Sequence, residues 1–157
     1  MALAVHRHTL GNEHPDTLGS INNLANLLAN QGMLGEAEPL FRTALAARRR
    51  TLGDEHPSTL VSISNLANLL VNQGKLGEAE PLYRTALAAC RRKLGGEHPD
   101  TLNTLFNLAV LLWEKGNTSE ALDMFRQELD AVRRVLGEAH PRTQRSLRNY
   151  IAKHTSL

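Results

Sequence analysis

The feature that most narrows what this chain can become is a register. His-Pro is written four times, in "GNEHPDTL", "GDEHPSTL", "GGEHPDTL" and "GEAHPRTQ", and the prolines Pro15, Pro57, Pro99 and Pro141 are 42 residues apart each time. Residues 11–52 laid over 53–94 differ at 9 of 42 positions. A fixed period of about 20–50 residues marks a stacked array, in which each unit buries its apolar face on its neighbours. The expected organisation is therefore one array over 1–157, with half repeats at 1–10 and 137–157 and full repeats at 11–52, 53–94 and 95–136. Residues 2–11, "ALAVHRHTLG", match the end of a repeat, "ALAARRRTLG" at 44–53.

Apolar spacing says what each unit is. Leu60, Ile63, Leu66, Ala67 and Leu70 recur at three and four, which predicts an amphipathic helix over 57–72, helix A. Ala79, Leu82, Tyr83, Ala86 and Leu87 predict a second one, helix B, running to Leu94. Pro57 suits the first turn of helix A, where no N–H is needed, and Gly74 and Gly95 suit helix ends. Gly-x-Glu-His-Pro thus reads as a stop-and-restart signal, with His14, His56, His98 and His140 as turn residues. Pro39 and Pro81 lie past the first turn, where proline forfeits a backbone bond, so helix B is expected to start late or bend there. Ala2, Leu3 and Val5 are expected to form an apolar stripe at an end that is frayed or packed on another molecule, and Gln144, Arg145, Arg148 and Lys153 make the opposite end more polar.

Composition excludes several function classes. A net charge of +2 is too small to point to nucleic acid. No apolar run approaches the roughly 20 residues of a membrane-spanning helix, so cytoplasmic residence is the default. Cys90 is the only cysteine, which leaves no intramolecular disulfide or thiolate metal cluster. The four His-Pro histidines are displaced along the array and do not converge as metal ligands must, and His6 and His8 would point to different faces. Glu36, Glu38, Glu78 and Glu80 favour the positive end of a helix dipole. With no nucleophile–base pair and no phosphate-cradling loop, neither an enzyme nor a cofactor is expected.

Helix pairs with small residues at their contacts resemble the tetratricopeptide repeat. Ile21, Leu24, Ala25, Leu28, Ala37, Phe41 and Ala44 fall where that family has its packing signature, as do Ile63, Leu66, Ala67, Leu70, Ala79, Tyr83 and Ala86. The third copy carries Leu105, Leu108, Ala109, Leu112, Ala121 and Phe125, then departs with Glu128 where a small residue belongs. The 42-residue period with His-Pro, Asn-Leu-Ala and Glu-Ala-Glu-Pro-Leu-Tyr resembles the kinesin light chain subclass. The resemblance implies an all-α tetratricopeptide-repeat solenoid, a right-handed superhelix of antiparallel helix pairs, with helix A lining a concave groove that binds a peptide segment of a protein partner. The carboxylate clamp of chaperone-binding relatives looks absent, because Asn22, Asn103 and Asn107 stand where that clamp has cations.

Asparagine is the residue type that recurs without a packing reason. Asn23, Asn65, Asn107 and Asn149 stand 42 apart on helix A, with Asn26, Asn68, Asn72 and Asn103 near them. Asparagine is a poor helix former, but its amide both donates and accepts, so a ladder of amides suits the backbone of an extended peptide. The competing account makes each a structural spacer between helices. Arg50 and Arg92 sit in the last turn of helix B, where a cation offsets the negative helix end; as a basic ridge they would instead receive acidic peptide segments. Phe106 and Trp113 are candidate aromatic contacts, with core packing as the alternative. Three function classes remain, in this order: a peptide-binding interaction module, an architectural spacer or self-assembling segment that associates through its exposed ends, and an enzyme.

Overall fold

A computed structural model describes residue 11 and residues 13–155, and the expectations for residues 2–10 lie outside them. Seven helices follow one another among the described residues: α1 Pro15–Asn30, α2 Leu34–Leu52, α3 Pro57–Asn72, α4 Leu76–Leu94, α5 Pro99–Glu114, α6 Thr118–Leu136 and α7 Pro141–His154. No strand occurs among them. The chain forms two compact units, one ending at Leu82 and one beginning at Tyr83.

The His-Pro signal starts every first helix, and its histidine does more than turn the chain. The Nδ1 of His14, His56, His98 and His140 accepts the backbone N–H two residues on, at 3.3, 3.1, 3.2 and 3.1 Å. Each imidazole therefore caps one of the N–H groups that a helix start leaves unpaired, and proline follows at the position that has none. At the other end of α3 the N–H of Lys75 reaches the Leu70 carbonyl at 2.8 Å and that of Gly74 reaches Val71 at 2.8 Å. This closing pattern needs a left-handed residue, and Gly74 supplies it at φ +74°.

The second helices begin before their prolines and run through them. α2 starts at Leu34 and α4 at Leu76, so of the two expected outcomes, a late start or a bend, the late start does not occur. Only one backbone bond, from residue 39 to Gly35, is forfeited in α2, and Gly35 is exposed, so water can reach its carbonyl. Against that loss, the turn containing Pro39 carries Ala37 and Phe41, which are 0 % and 1 % exposed.

In the first unit, α2 packs on α1 and α3 packs on α2. Leu18, Ile21, Ala44 and Ala47 form a core cluster with Leu40 against it. Fully buried Ala25 and Ala37 let the paired helices approach closely. In the second unit α6 packs on α5 and α7 on α6, around Leu102, Leu129, Ala131 and Val132 with Leu147 and Tyr150. Glu128, the residue that breaks the small-residue pattern, is 2 % exposed. Its Oε1 meets the Arg142 guanidinium at 3.4 Å, so a charge pair fills the space that alanine holds in the other copies.

Candidate functional site

The recurrent asparagines lie in one register of α1, α3, α5 and α7. Asn23 is exposed, while Asn65, Asn107 and Asn149 are half-buried. Of their neighbours, Asn26 is half-buried and Asn68, Asn72 and Asn103 are exposed. In the first unit Asn65 Nδ2 donates to Asn22 Oδ1 at 3.3 Å, which joins Asn22 and Asn65 across α1 and α3. Asn65 spends one N–H on that bond and keeps a second N–H and its carbonyl oxygen.

The spacer account explains that contact but not the whole column. In the second unit the register of Asn22 is held by Phe106, which has no acceptor to offer Asn149. Phe106 packs edge-on against Phe125 with ring centroids 5.5 Å apart, so its ring serves the core. Trp113 is half-buried, with the Lys153 ammonium 4.7 Å from its ring centre.

Four arginines at the ends of α2 and α6 are engaged by carboxylates. Arg50 pairs with Glu13, and Arg134 pairs with Glu97 at 2.8 Å, so in these two copies a helix B end is tied to the lead-in of its own helix A. Arg49 and Arg133 reach forward to Asp54 and Glu138 at 3.0 and 3.2 Å. Arg92 is exposed.

Two features escaped sequence reasoning. The first is a ladder of charges between successive repeats: Arg42 holds Glu38 at 2.8 Å and Glu78 at 2.9 Å, Lys75 holds Glu38 at 2.7 Å, and Arg84 holds Glu120 at 2.9 Å. Hydrogen bonds from Lys75 and then Arg42 lower the Glu38 carboxyl to about 2. The offset of 36 residues between Arg42 and Glu78, repeated at Arg84 and Glu120, was the available signal. The second is Arg48, 9 % exposed, which donates to the Ser58 carbonyl at 3.2 Å and to Ser62 Oγ at 2.6 Å. Burial lowers its pKa, and burial raises that of Cys90, which occupies the same register one copy later.

Among the described residues no group of three or more His, Cys, Asp or Glu side chains is placed to hold a metal, and no helix is long and apolar enough to cross a membrane. Within each unit the first helices carry amides at recurring register positions, and the second helices carry arginines paired with carboxylates.

Family models described as tetratricopeptide repeat match residues 17–58 and 60–134. A crystal structure of a Podosopora anserina putative kinesin light chain with nearly identical TPR-like repeats is similar over 98 % of this chain and 74 % of its own, at 29 % identity and a TM-score of 0.83. BtubC (BKLC) from P. vanneervenii is similar in fold over 89 % of this chain and 56 % of its own, at 23 % identity and a TM-score of 0.80. The Yersinia enterocolitica type III secretion translocator chaperone SycD shares the fold over 95 % of this chain and 91 % of its own, at 15 % identity and a TM-score of 0.70. No curated protein sequence matches the chain at a significant level.

Proposed function

Starting from the fact that the chain belongs to the tetratricopeptide repeat family, with repeats of the kinesin light chain-like kind, we propose that it is an interaction module that binds an extended peptide segment of a protein partner through the asparagine rows of its first helices. The observation that carries this reading is that Asn149 persists although Phe106 stands in the register of Asn22, so the side-chain amide that accepts from Asn65 has no counterpart there. A purely structural role would let the column lapse there. An amide that faces a ligand backbone is needed in every copy, whatever stands beside it.

In the first unit Asn23 and Asn65, flanked by Asn26, Asn68 and Asn72, would hold one stretch of peptide backbone. Asn107, Asn149 and Asn103 would hold another in the second. Contacts to backbone tolerate many side chains, so such a module takes partners by shape and main chain first. Arg50 and Arg92 add a preference for acidic segments, and because Glu13 already engages Arg50, an acidic ligand has to compete for it. The module acts in the cytoplasm and needs no cofactor in this reading.

The test is a peptide array screened against the chain, followed by amide chemical-shift mapping with the strongest peptide. Shifts concentrated on α1, α3, α5 and α7 around the asparagines are expected. Shifts confined to the second helices would replace this reading with an outer-face interaction, and no selective binding would leave an architectural spacer.

A further inference from the structure

Arg48 is a buried cation without an anion. It is 9 % exposed, and its Nη1 donates to the Ser58 carbonyl at 3.2 Å and to Ser62 Oγ at 2.6 Å, both neutral oxygens. Its Nε and Nη2 have no acceptor among the described residues, and burial lowers its pKa with no carboxylate to offset the loss. A buried charge is ordinarily paired. The register of Ser58 shows where the partner is missing. Asp16 and Asp100 hold that position in the first turns of α1 and α5, and Arg142, paired with Glu128, holds it in α7. The first turn of α3 has no acid, and Ser58 is the one uncharged member of the set. In the second unit Cys90 stands in the register of Arg48, and after burial the charge of Asp100 helps to raise its pKa. A charge at residue 58 therefore reaches the place that Arg48 occupies.

We infer that Ser58 is a phosphorylation site, and that its phosphoryl group is the anion that Arg48 lacks. Ser58 is half-buried and follows exposed His56 and Pro57, with His56 in an extended conformation, so a modifying enzyme can take hold of the segment that leads to it. The group comes from a nucleoside triphosphate. Ser58 Oγ bonds to the terminal phosphorus, the bond from that phosphorus to the bridging oxygen breaks, the nucleoside diphosphate leaves, and the hydroxyl proton passes to the base of the kinase. The product carries about two negative charges and three acceptor oxygens at the start of a helix, where the dipole favours an anion. With Arg48 on the other side, it clamps the end of α2 to the start of α3. The unmodified hydroxyl brings no charge, so the clamp exists only in the phosphorylated chain.

The experiment compares the unmodified chain with one in which genetically encoded phosphoserine replaces Ser58, each with and without Arg48→Cys, which writes the residue of the next copy. Phosphorylation is expected to raise Tm by roughly 2–4 °C or more. The second ionisation of the phosphate, followed by phosphorus-31 NMR, should fall below its usual value of about 6. With Arg48→Cys most of the rise in Tm is lost and the ionisation returns toward that value. Mass spectrometry of the chain isolated from its own cells should find phosphate on Ser58. A Tm that does not rise, or a rise and an ionisation untouched by Arg48→Cys, would overturn the pairing. A native chain that carries no phosphate at Ser58 would overturn the modification. An equal rise of the unmodified chain in inorganic phosphate would overturn it too, because it assigns the site to a free anion.

Discussion

Asn65 and Asn22 are joined by one side-chain hydrogen bond of 3.3 Å between two first helices, and Asn22 at its accepting end is 7 % exposed. Such a bond has a measurable share in stacking repeat on repeat. In a double-mutant cycle of Asn22→Ala and Asn65→Ala, denaturant unfolding is expected to give a coupling of about 0.5–1.5 kcal/mol. Strictly additive losses would mean that the contact contributes nothing to stacking.

The histidine caps make a prediction about protons. An Nδ1 that accepts from the Ser58 N–H carries no hydrogen, so the His56 ring must hold its proton on Nε2. Nitrogen-detected NMR of the ring should show that tautomer at His14, His56, His98 and His140 alike. His56→Ala should cost about 1 kcal/mol of stability, and His56→Asn, which restores an acceptor, much less. An equal loss from both substitutions would remove the capping role.

Glu38 supplies the pH dependence. Its carboxyl sits at about 2 in the fold, below its ordinary value of 4.5, because Lys75 and Arg42 hold its charged form. A folded value that is depressed adds stability above pH 4.5, and that stability is lost as pH falls from there toward 2. Glu38→Gln should therefore flatten the acid limb of a Tm-against-pH curve, and high salt should shrink the difference because Arg42 and Lys75 are exposed. Parallel curves for both proteins would contradict the assignment.

Glu128 and Arg142 are expected to be unequal. Glu128 is 3 % exposed at the side chain and Arg142 19 %, so removing the arginine strands a carboxylate in the core, whereas removing the acid leaves a cation that can turn to water. Arg142→Ala should cost about 3 kcal/mol or more, and Glu128→Ala, which writes the residue used in the other copies, clearly less. Urea unfolding of the two variants measures the difference, and the reverse order would contradict the buried-pair account.

How much of this was legible from residues alone depends on what each feature rests on. The helices were legible because the 42-residue register and the three-and-four spacing both act within one unit, and proline and glycine mark its borders. The imidazole caps were not, since histidine is an uncommon choice for that position and its role needs the place of one ring nitrogen. The Arg42–Glu78 and Arg84–Glu120 pairs were hidden because their spacing follows from how repeats stack and not from the turn of a helix. Pro39 did not delay the helix as the late-start alternative expected: the local rule counted the lost bond, while the turn also buries Ala37 and Phe41. The asparagine column was visible as a column, but only the structure shows that Asn65 has a partner in Asn22. Leu27 and Leu69 are the same letter in the same register, and only their place in the array makes one exposed and the other buried.

The central claim is that amides on the first helices hold a peptide backbone, and calorimetric titration of the array-selected peptide into the Asn23→Ala, Asn149→Ala double variant tests it most directly. Each lost hydrogen bond should weaken binding by roughly 0.5–1.5 kcal/mol, by a similar amount for peptides of unrelated sequence, with Tm nearly unchanged. Affinity equal to that of the parent chain, or a fall in Tm with no loss of affinity, would return the asparagines to a structural role.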